Sequence, residues 1–270
     1  MTEIFNVAIY KPIFNALFYL YHVIPGGDLG VSIILLTIAI KGLLFWPSLS
    51  SLKAQKSLQD TQPQIEIVKA KYKDDKEEMG RQLMKVYQDN KVNPFASCLP
   101  LLIQLPILIA LYRVFFQGLQ IDADTHILVA DQMSNLYGYL HNIYESKPIH
   151  TMFLGFVDLT KTHNLYLAGL AAVAQYFSGR FLTTKKPVVQ SAGSKDEGMA
   201  AAMNKQMLYL MPIMTIVIGY QFPAGVALYW LVSTVFTLAQ QIYFFKLKDK
   251  WAGKESKIQV VNAIDSKTTK

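Results

Sequence analysis

The chain has 270 residues, of which 52% are hydrophobic and only 17% are charged, and its formal net charge is +7 at pH 7. This composition argues against an ordinary soluble domain and is typical of a membrane protein. The single cysteine, Cys98, excludes an intramolecular disulfide.

The first 50 residues predict an interfacial helix followed by a membrane span. Residues 1–28 carry apolar side chains at helical spacing among many aromatic ones, but Pro12 to Pro25 is too short to cross a bilayer, so we expect a helix lying in the interface. Because a basic region and a cleavage site are lacking, we expect no removable signal peptide. Residues 29–50 form the first predicted span, since Gly30 to Pro47 would cover about 27 Å of a ~30 Å hydrocarbon layer.

Lys41 is the one charged residue inside this apolar run. A charge within the membrane costs about 3 kcal/mol or more and usually faces a polar cavity, which makes Lys41 a candidate functional residue. The alternative is that its long side chain snorkels to the headgroups, because Lys41 lies only about 9 Å along the helix from Pro47.

The segment 51–93 turns to charged, helical sequence and predicts a cytoplasmic helical hairpin. A break near Tyr72 separates the arms, with Asp74 or Asp75 capping the second arm in a capping box and Pro63 starting or kinking the first arm. Asn93 and Pro94 end the hairpin and are the candidate hinge.

The rest of the chain predicts four further spans separated by polar segments. In the second span, Gln104 would lie at a depth comparable with that of Lys41, so the two side chains could share one cavity; the alternative for Gln104 is a hydrogen bond that serves helix packing alone. The histidines lack metal-ligand spacing, and we expect neither a metal nor a cofactor. The predicted segments are the second span at 94–118, an extracytoplasmic loop at 119–163, the third span at 164–182, a cytoplasmic linker at 183–206, the fourth and fifth spans at 207–222 and 225–245, and a basic tail at 246–270.

The distribution of lysine and arginine predicts the orientation. The hairpin carries 9, the linker with Arg180 carries 5 and the tail carries 7, against 4 on the other side. The positive-inside rule therefore places these three segments and the C-terminus in the cytoplasm, and the N-terminus outside. Nucleic-acid motifs are absent, so DNA is not expected as a partner, although the tail could also touch ribosomal RNA or anionic lipid.

Three stretches, in this order, resemble the YidC membrane protein insertases and their mitochondrial and chloroplast relatives: KVNPFASCLPLLIQLPILIALYRVF, FLGFVDLTKTH and MPIMTIVIGYQFPAGVALYWLVSTVFTLAQQ. The resemblance implies an all-α membrane protein of the bacterial cytoplasmic membrane, a five-transmembrane-helix bundle around a hydrophilic groove, in the short form without a large extracytoplasmic domain. It also implies a positive charge in the groove, usually arginine, at the position of Lys41. Lysine keeps the charge but lacks the planar fork of arginine.

Such proteins help nascent membrane proteins to insert, and we expect a hydrated groove that lets a polar tail travel part-way through the membrane. Tyr229 and Trp230 match positions that contact substrate helices, with ordinary packing as the alternative. The hairpin would recruit and gate, or merely cap two spans. The candidate groove residues are Thr37, Lys41, Ser48, Gln104, Gln175, Ser178, Ser233, Thr237 and Gln240.

Other functions remain open at this stage. A structural assembly factor would hold membrane subunits without moving their tails, and a transporter would also place charge in the membrane, although no inverted repeat is visible. An enzyme is not expected, because no span carries a catalytic dyad or a phosphate-binding glycine loop. The expected partners are nascent membrane proteins and the lipid bilayer; the ribosome, through the basic tail, and the Sec translocon are further candidates.

Overall fold

Helices make up most of the computed structural model, which describes residues 3–93, 99–122, 125–182 and 197–245. The chain begins with α1 (Glu3–Phe5), a π-helical turn (Asn6–Tyr10) and α2 (Lys11–Val23), and a second π-helical turn (Val114–Gly118) follows α6. The remaining helices are α3 (Leu29–Leu43), α4 (Phe45–Lys71), α5 (Lys76–Asp89), α6 (Leu99–Arg113), α7 (Ala130–Met133), α8 (Gly138–Tyr144), α9 (Leu165–Leu182), α10 (Glu197–Gln221) and α11 (Ala224–Phe245).

The apolar run that predicts one straight span is divided in the structure. Helix α3 ends at Leu43, and α4 leaves it at an angle of 67°. Pro47 explains the position of the break, because a proline lacks an N–H and its ring clashes with the carbonyl four residues earlier, here that of Leu43. The bend leaves Leu43 and Trp46 exposed, and tryptophan is favoured where a membrane meets water.

Among the described helices, α11 alone is long and apolar enough to cross a membrane by itself. The bent pair α3 and α4 passes the same test together, and two shorter apolar segments lie at Leu102–Phe116 and Leu208–Gln221. The protein is therefore mostly helical, as expected, whereas the five-span bundle stays a prediction. Helix α10 begins inside the predicted linker, and residues 183–196 and the tail at 246–270 lie outside the described residues.

Helices α4 and α5 form the hairpin. The Asp75 carboxylate caps α5 by accepting hydrogen bonds from the backbone N–H groups of Glu77 and Glu78, at 3.1 and 2.9 Å. The reciprocal half of the capping box is replaced, because the Asp75 N–H donates to the Tyr72 carbonyl. Pro63 lies inside α4.

Helix α2 contributes one face to the protein core, and its location in the membrane interface stays a prediction. Phe14, Leu17 and Phe18 are completely buried and pack in the same cluster as residues of α3, α6 and α8. A polar side chain on the same helix secures the loop: Asn15 donates from Nδ2 to the Asn135 carbonyl at 2.9 Å and accepts from the Tyr137 N–H at 2.6 Å.

The loop between α6 and α9 contains the only paired strands of the described residues, β1 (Met152–Phe153) and β2 (Val157–Asp158), which are antiparallel. This small hairpin packs on the start of α3. A Cβ added to Gly30 would lie 2.1 Å from the Phe153 ring, so only glycine permits this approach.

The short turn between α10 and α11 is tied to the segment just before α9. The N–H groups of Ala224 and Gly225 donate to the carbonyls of Lys161 and Leu159, and the His163 N–H donates to the Tyr220 carbonyl. These bonds fix the start of α9, the end of α10 and the start of α11 at one end of the molecule.

Candidate functional site

Lys41 lies in the last turn of α3, half-buried between two other helices. Its Nζ donates to Gln104 Oε1 on α6 at 3.3 Å and to Thr237 Oγ1 on α11 at 3.4 Å. Both acceptors are neutral. In the described part of the chain, none of the ion pairs includes Lys41. The ammonium group is thus held in place without being neutralised, and it can still attract a carboxylate.

Further hydrogen bonds connect the two partners of Lys41 to other polar groups of α11. Gln104 donates from Nε2 to the Tyr229 hydroxyl, and Tyr229 is also hydrogen-bonded to the Ser233 side chain. The Thr237 hydroxyl in turn donates to the Ser233 carbonyl at 2.9 Å. Gln104 therefore links Lys41 to a buried tyrosine, and α11 supplies groups at three successive turns of the helix.

Ser48 and Gln240 continue the polar cluster beyond the bend between α3 and α4. The Ser48 hydroxyl donates to Gln240 Oε1 at 3.0 Å. The Gln240 side chain is 5% exposed, and its Nε2 finds no hydrogen-bond acceptor among the described residues. A buried amide donor normally has a partner, so this group is available to a water molecule or to an acceptor on a bound chain.

Other predicted groove residues have different surroundings. Thr37 is 1% exposed and donates to the Ile33 carbonyl of its own helix, so its hydroxyl turns away from Lys41. Ser178 on α9 donates to Gln241 Oε1 at 3.1 Å, a buried pair separate from the lysine. Gln175 and Trp230 are half-buried.

The predicted hinge at the end of the hairpin is only partly visible. Asn93 is exposed, and Pro94 lies outside the described residues. Sequence reasoning missed Gln241, whose partner Ser178 is far away in the chain. The adjacent pair Gln240 and Gln241 was the sequence feature that could have indicated it. Neighbouring helical residues point about 100° apart, so two successive glutamines on a buried helix face two different neighbouring helices.

The polar cluster is thus built by α3, α4, α6 and α11, and the same chain matches a known family over most of its length. The model of the family described as "60Kd inner membrane protein" matches residues 19–251. The chain belongs to this family. The resemblance inferred from the motifs is thereby confirmed, and the chain is a bacterial inner-membrane protein.

Several relatives carry the name "Membrane protein insertase YidC". The protein of Fusobacterium nucleatum is 33% identical over 220 residues, which cover 82% of this chain and 87% of the relative. That of Pelobacter propionicus is 30% identical over 88% of this chain and 38% of the relative. That of Syntrophobacter fumaroxidans is 34% identical over 79% of this chain. The chain therefore spans only 34% of the length of the Syntrophobacter protein and 38% of that of the Pelobacter protein.

Proposed function

We propose that this chain is a membrane protein insertase, which receives nascent membrane proteins in a polar groove around Lys41, moves short polar tails outward and releases the apolar helix into lipid. The observation that carries the proposal is the half-buried lysine, held by the neutral side chains of Gln104 and Thr237. Membership of a family with relatives named as insertases supports it.

The proposed topology has five spans, formed by α3, α6, α9, α10 and α11, with the N-terminus outside and the hairpin of α4 and α5 in the cytoplasm. The excess of lysine and arginine in the hairpin, linker and tail supports this orientation. The bend after Leu43 supports it too, because it allows α4 to leave the membrane soon after α3 ends.

The depth of Lys41 explains how the groove would work. Lys41 is 12 residues from Leu29, which corresponds to about 18 Å along α3. A hydrated groove that opens to the cytoplasm and reaches Lys41 would therefore shorten the apolar barrier from about 30 Å to about 18 Å. A polar tail would remain solvated over the first part of its path, so the cost of transferring it from water falls.

The charge of Lys41 and the side-chain amide of Gln240, whose Nε2 is unpaired among the described residues, would act on different parts of a substrate. The Lys41 ammonium attracts acidic side chains of the outer tail over several ångströms, because it has no carboxylate partner among the described residues. The Gln240 Nε2 group supplies a donor to a carbonyl or carboxylate oxygen at short range. Once the tail has passed, the apolar substrate helix moves into lipid because hydrophobic partition favours it.

The hairpin would receive substrates at the cytoplasmic mouth, and the basic tail would contact the ribosome or anionic lipid. Helix α5 supports a receiving role, since none of its residues is buried and its apolar Met84 is exposed. The Sec translocon is a second partner under the same proposal.

Site-specific photocrosslinking tests the groove. We expect a photoreactive residue at Thr237 to capture a stalled nascent chain that carries an acidic outer tail. Val235, on the same helix but exposed and about 200° around it, is the matched control and should capture lipid or a later, fully apolar intermediate. Equal capture of the acidic tail at both positions, or none at Thr237, would contradict a groove at Lys41. Stable capture of folded partner subunits alone would favour an assembly factor.

A further inference from the structure

The turn between β1 and β2 exposes two apolar side chains on the surface of the protein. The strand register pairs Phe153 with Val157, so Leu154, Gly155 and Phe156 form a tip. Leu154 and Phe156 are 61% and 72% exposed. Leu154 has a φ of 50° and Gly155 a φ of 79°, both in the left-handed region, which leucine rarely adopts.

The tip is held firmly in this conformation. The Leu154 N–H donates to Asp28 Oδ2 at 2.9 Å, while Asp28 Oδ1 accepts from the Val31 N–H and caps α3. Phe153 packs against Gly30 in the first turn of the same helix. The exposure of the tip is therefore imposed by the fold, because an unusual backbone conformation persists only where its surroundings determine it.

The tip also lies beside the start of α9. Met152 and Phe156 line one shallow depression together with His163 and Asn164, and Asn164 directly precedes α9. An exposed apolar stripe runs along α9 from this point, at the spacing of one helix face. Its members are Tyr166, Leu170, Val173 and Phe177.

We propose that the tip, Leu154 to Phe156, inserts into the outer leaflet of the bilayer, where its partner is lipid just below the headgroups. In the proposed topology α3 and α9 both begin at the outer surface, so the tip lies at the level where their apolar faces meet water. Lys161 lines the same depression, is 80% exposed and forms an ion pair with Asp158 at 3.5 Å, so the two apolar side chains of the tip, and not a free cation, carry the insertion. Leucine and phenylalanine are among the side chains that interfacial membrane anchors bury at the boundary between headgroups and acyl chains.

This anchor would fix the outer ends of α3 and α9 relative to the bilayer while a substrate passes between the helices farther in. The proposal depends on α3 and α9 spanning the membrane as proposed, but it does not depend on insertase activity. A failure of one can therefore be distinguished from a failure of the other.

Fluorescence quenching in nanodiscs tests the anchor with the full chain. In a Cys98→Ser background, an environment-sensitive fluorophore is attached to Phe156→Cys, with Leu170→Cys as the lipid reference and Asp89→Cys, exposed on α5, as the water reference. The lipids carry a nitroxide at a shallow or at a deep position of the acyl chain. We expect the shallow nitroxide to quench the Phe156→Cys label at least twofold more than the Asp89→Cys label, and more than the deep nitroxide does.

Iodide, a soluble quencher, supplies the second readout, and we expect the Phe156→Cys label to be at least threefold less accessible to it than the Asp89→Cys label. Quenching by lipid no greater than at Asp89→Cys would overturn the proposal. Protection from iodide without quenching by lipid would also overturn it, because the tip would then be covered by protein. Leu154→Cys repeats the measurement independently in case the first labelled variant does not fold.

Discussion

Removal of the charge at Lys41 should impair the insertion of substrates with acidic outer tails much more than that of substrates with neutral tails. A carboxylate about 4 Å from an ammonium gains about 1 kcal/mol in bulk water and about 4 kcal/mol at the effective dielectric of a protein surface. Since 1.4 kcal/mol corresponds to about tenfold, the half-buried position of Lys41 predicts a loss of between about fivefold and a thousandfold for Lys41→Met. Lys41→Glu should be worse, because it turns attraction into repulsion.

The assay measures the fraction of a reporter whose outer tail becomes accessible to protease, in cells depleted of their own insertase and complemented with the variant. Lys53→Glu, an exposed lysine on α4, is the matched charge-reversal control. Lys41→Arg should retain activity, since it keeps the charge and adds donors. Full insertion of acidic tails by Lys41→Glu, in a variant that accumulates normally, would remove Lys41 from the mechanism.

Two further predictions concern stability and are read from the thermal unfolding of the purified protein. Gly225→Ala should lower the free energy of unfolding by about 1–3 kcal/mol through overpacking, because the added Cβ would lie 2.4 Å from the Phe115 ring in the core. The control Gly169→Ala should be neutral or slightly stabilising, because no neighbouring group among the described residues lies within 4 Å of the added Cβ. Equal effects of the two substitutions would contradict this prediction. At Asp158, burial raises the pKa, but hydrogen bonds from Thr160 and Thr151 and the nearby charge of Lys161 together outweigh it and lower the pKa below its usual value of 3.8. Ionised Asp158 therefore stabilises the folded state; this stabilisation is complete above the usual pKa of 3.8 and is lost as the pH falls through the lowered pKa of the folded protein. Asp158→Asn should remove this part of the acid sensitivity of the unfolding temperature. An unchanged dependence of that temperature on pH would refute the role of Asp158.

The neighbourhood of Lys41 could be predicted from the sequence to a useful degree. Counting residues from the ends of the predicted spans placed Gln104 at a comparable depth, and the structure brings the two side chains to 3.3 Å. Depth in a membrane is a one-dimensional quantity that sequence spacing reports well. The cap of α5 was predicted to within one residue, as Asp74 or Asp75, because a cap depends on a few neighbouring residues, and the structure selects Asp75.

The sequence did not predict features that depend on the direction of a side chain or on partners far away in the chain. Thr37 and Lys41 are one turn apart, yet the Thr37 hydroxyl satisfies itself on its own helix at Ile33, as buried threonines often do. The pair Ser178 and Gln241 joins residues 63 positions apart, a contact that no local pattern encodes.

The bend after Leu43 and the exposed tip show two further limits. Pro47 is evident in the sequence, but an unbroken apolar run indicates composition and not the path of the backbone. The sequence therefore predicted a single span where the structure has a bend. The left-handed conformation of Leu154 is fixed by Asp28, 126 residues earlier, and a leucine gives no local signal for it.

The choice of neutral neighbours around Lys41 distinguishes a receptive site from a structural ion pair. A carboxylate beside the lysine would stabilise it but would also cancel its field, so an incoming acidic tail would gain little. Amide and hydroxyl oxygens stabilise the ammonium through hydrogen bonds and leave its net charge in place, as Gln104 and Thr237 do. Because α3 ends two residues after Lys41, this charge also lies close to the bend between α3 and α4. Hydrogen bonds to neutral partners thus lower the free-energy cost of burying this charge and leave its field able to attract a carboxylate.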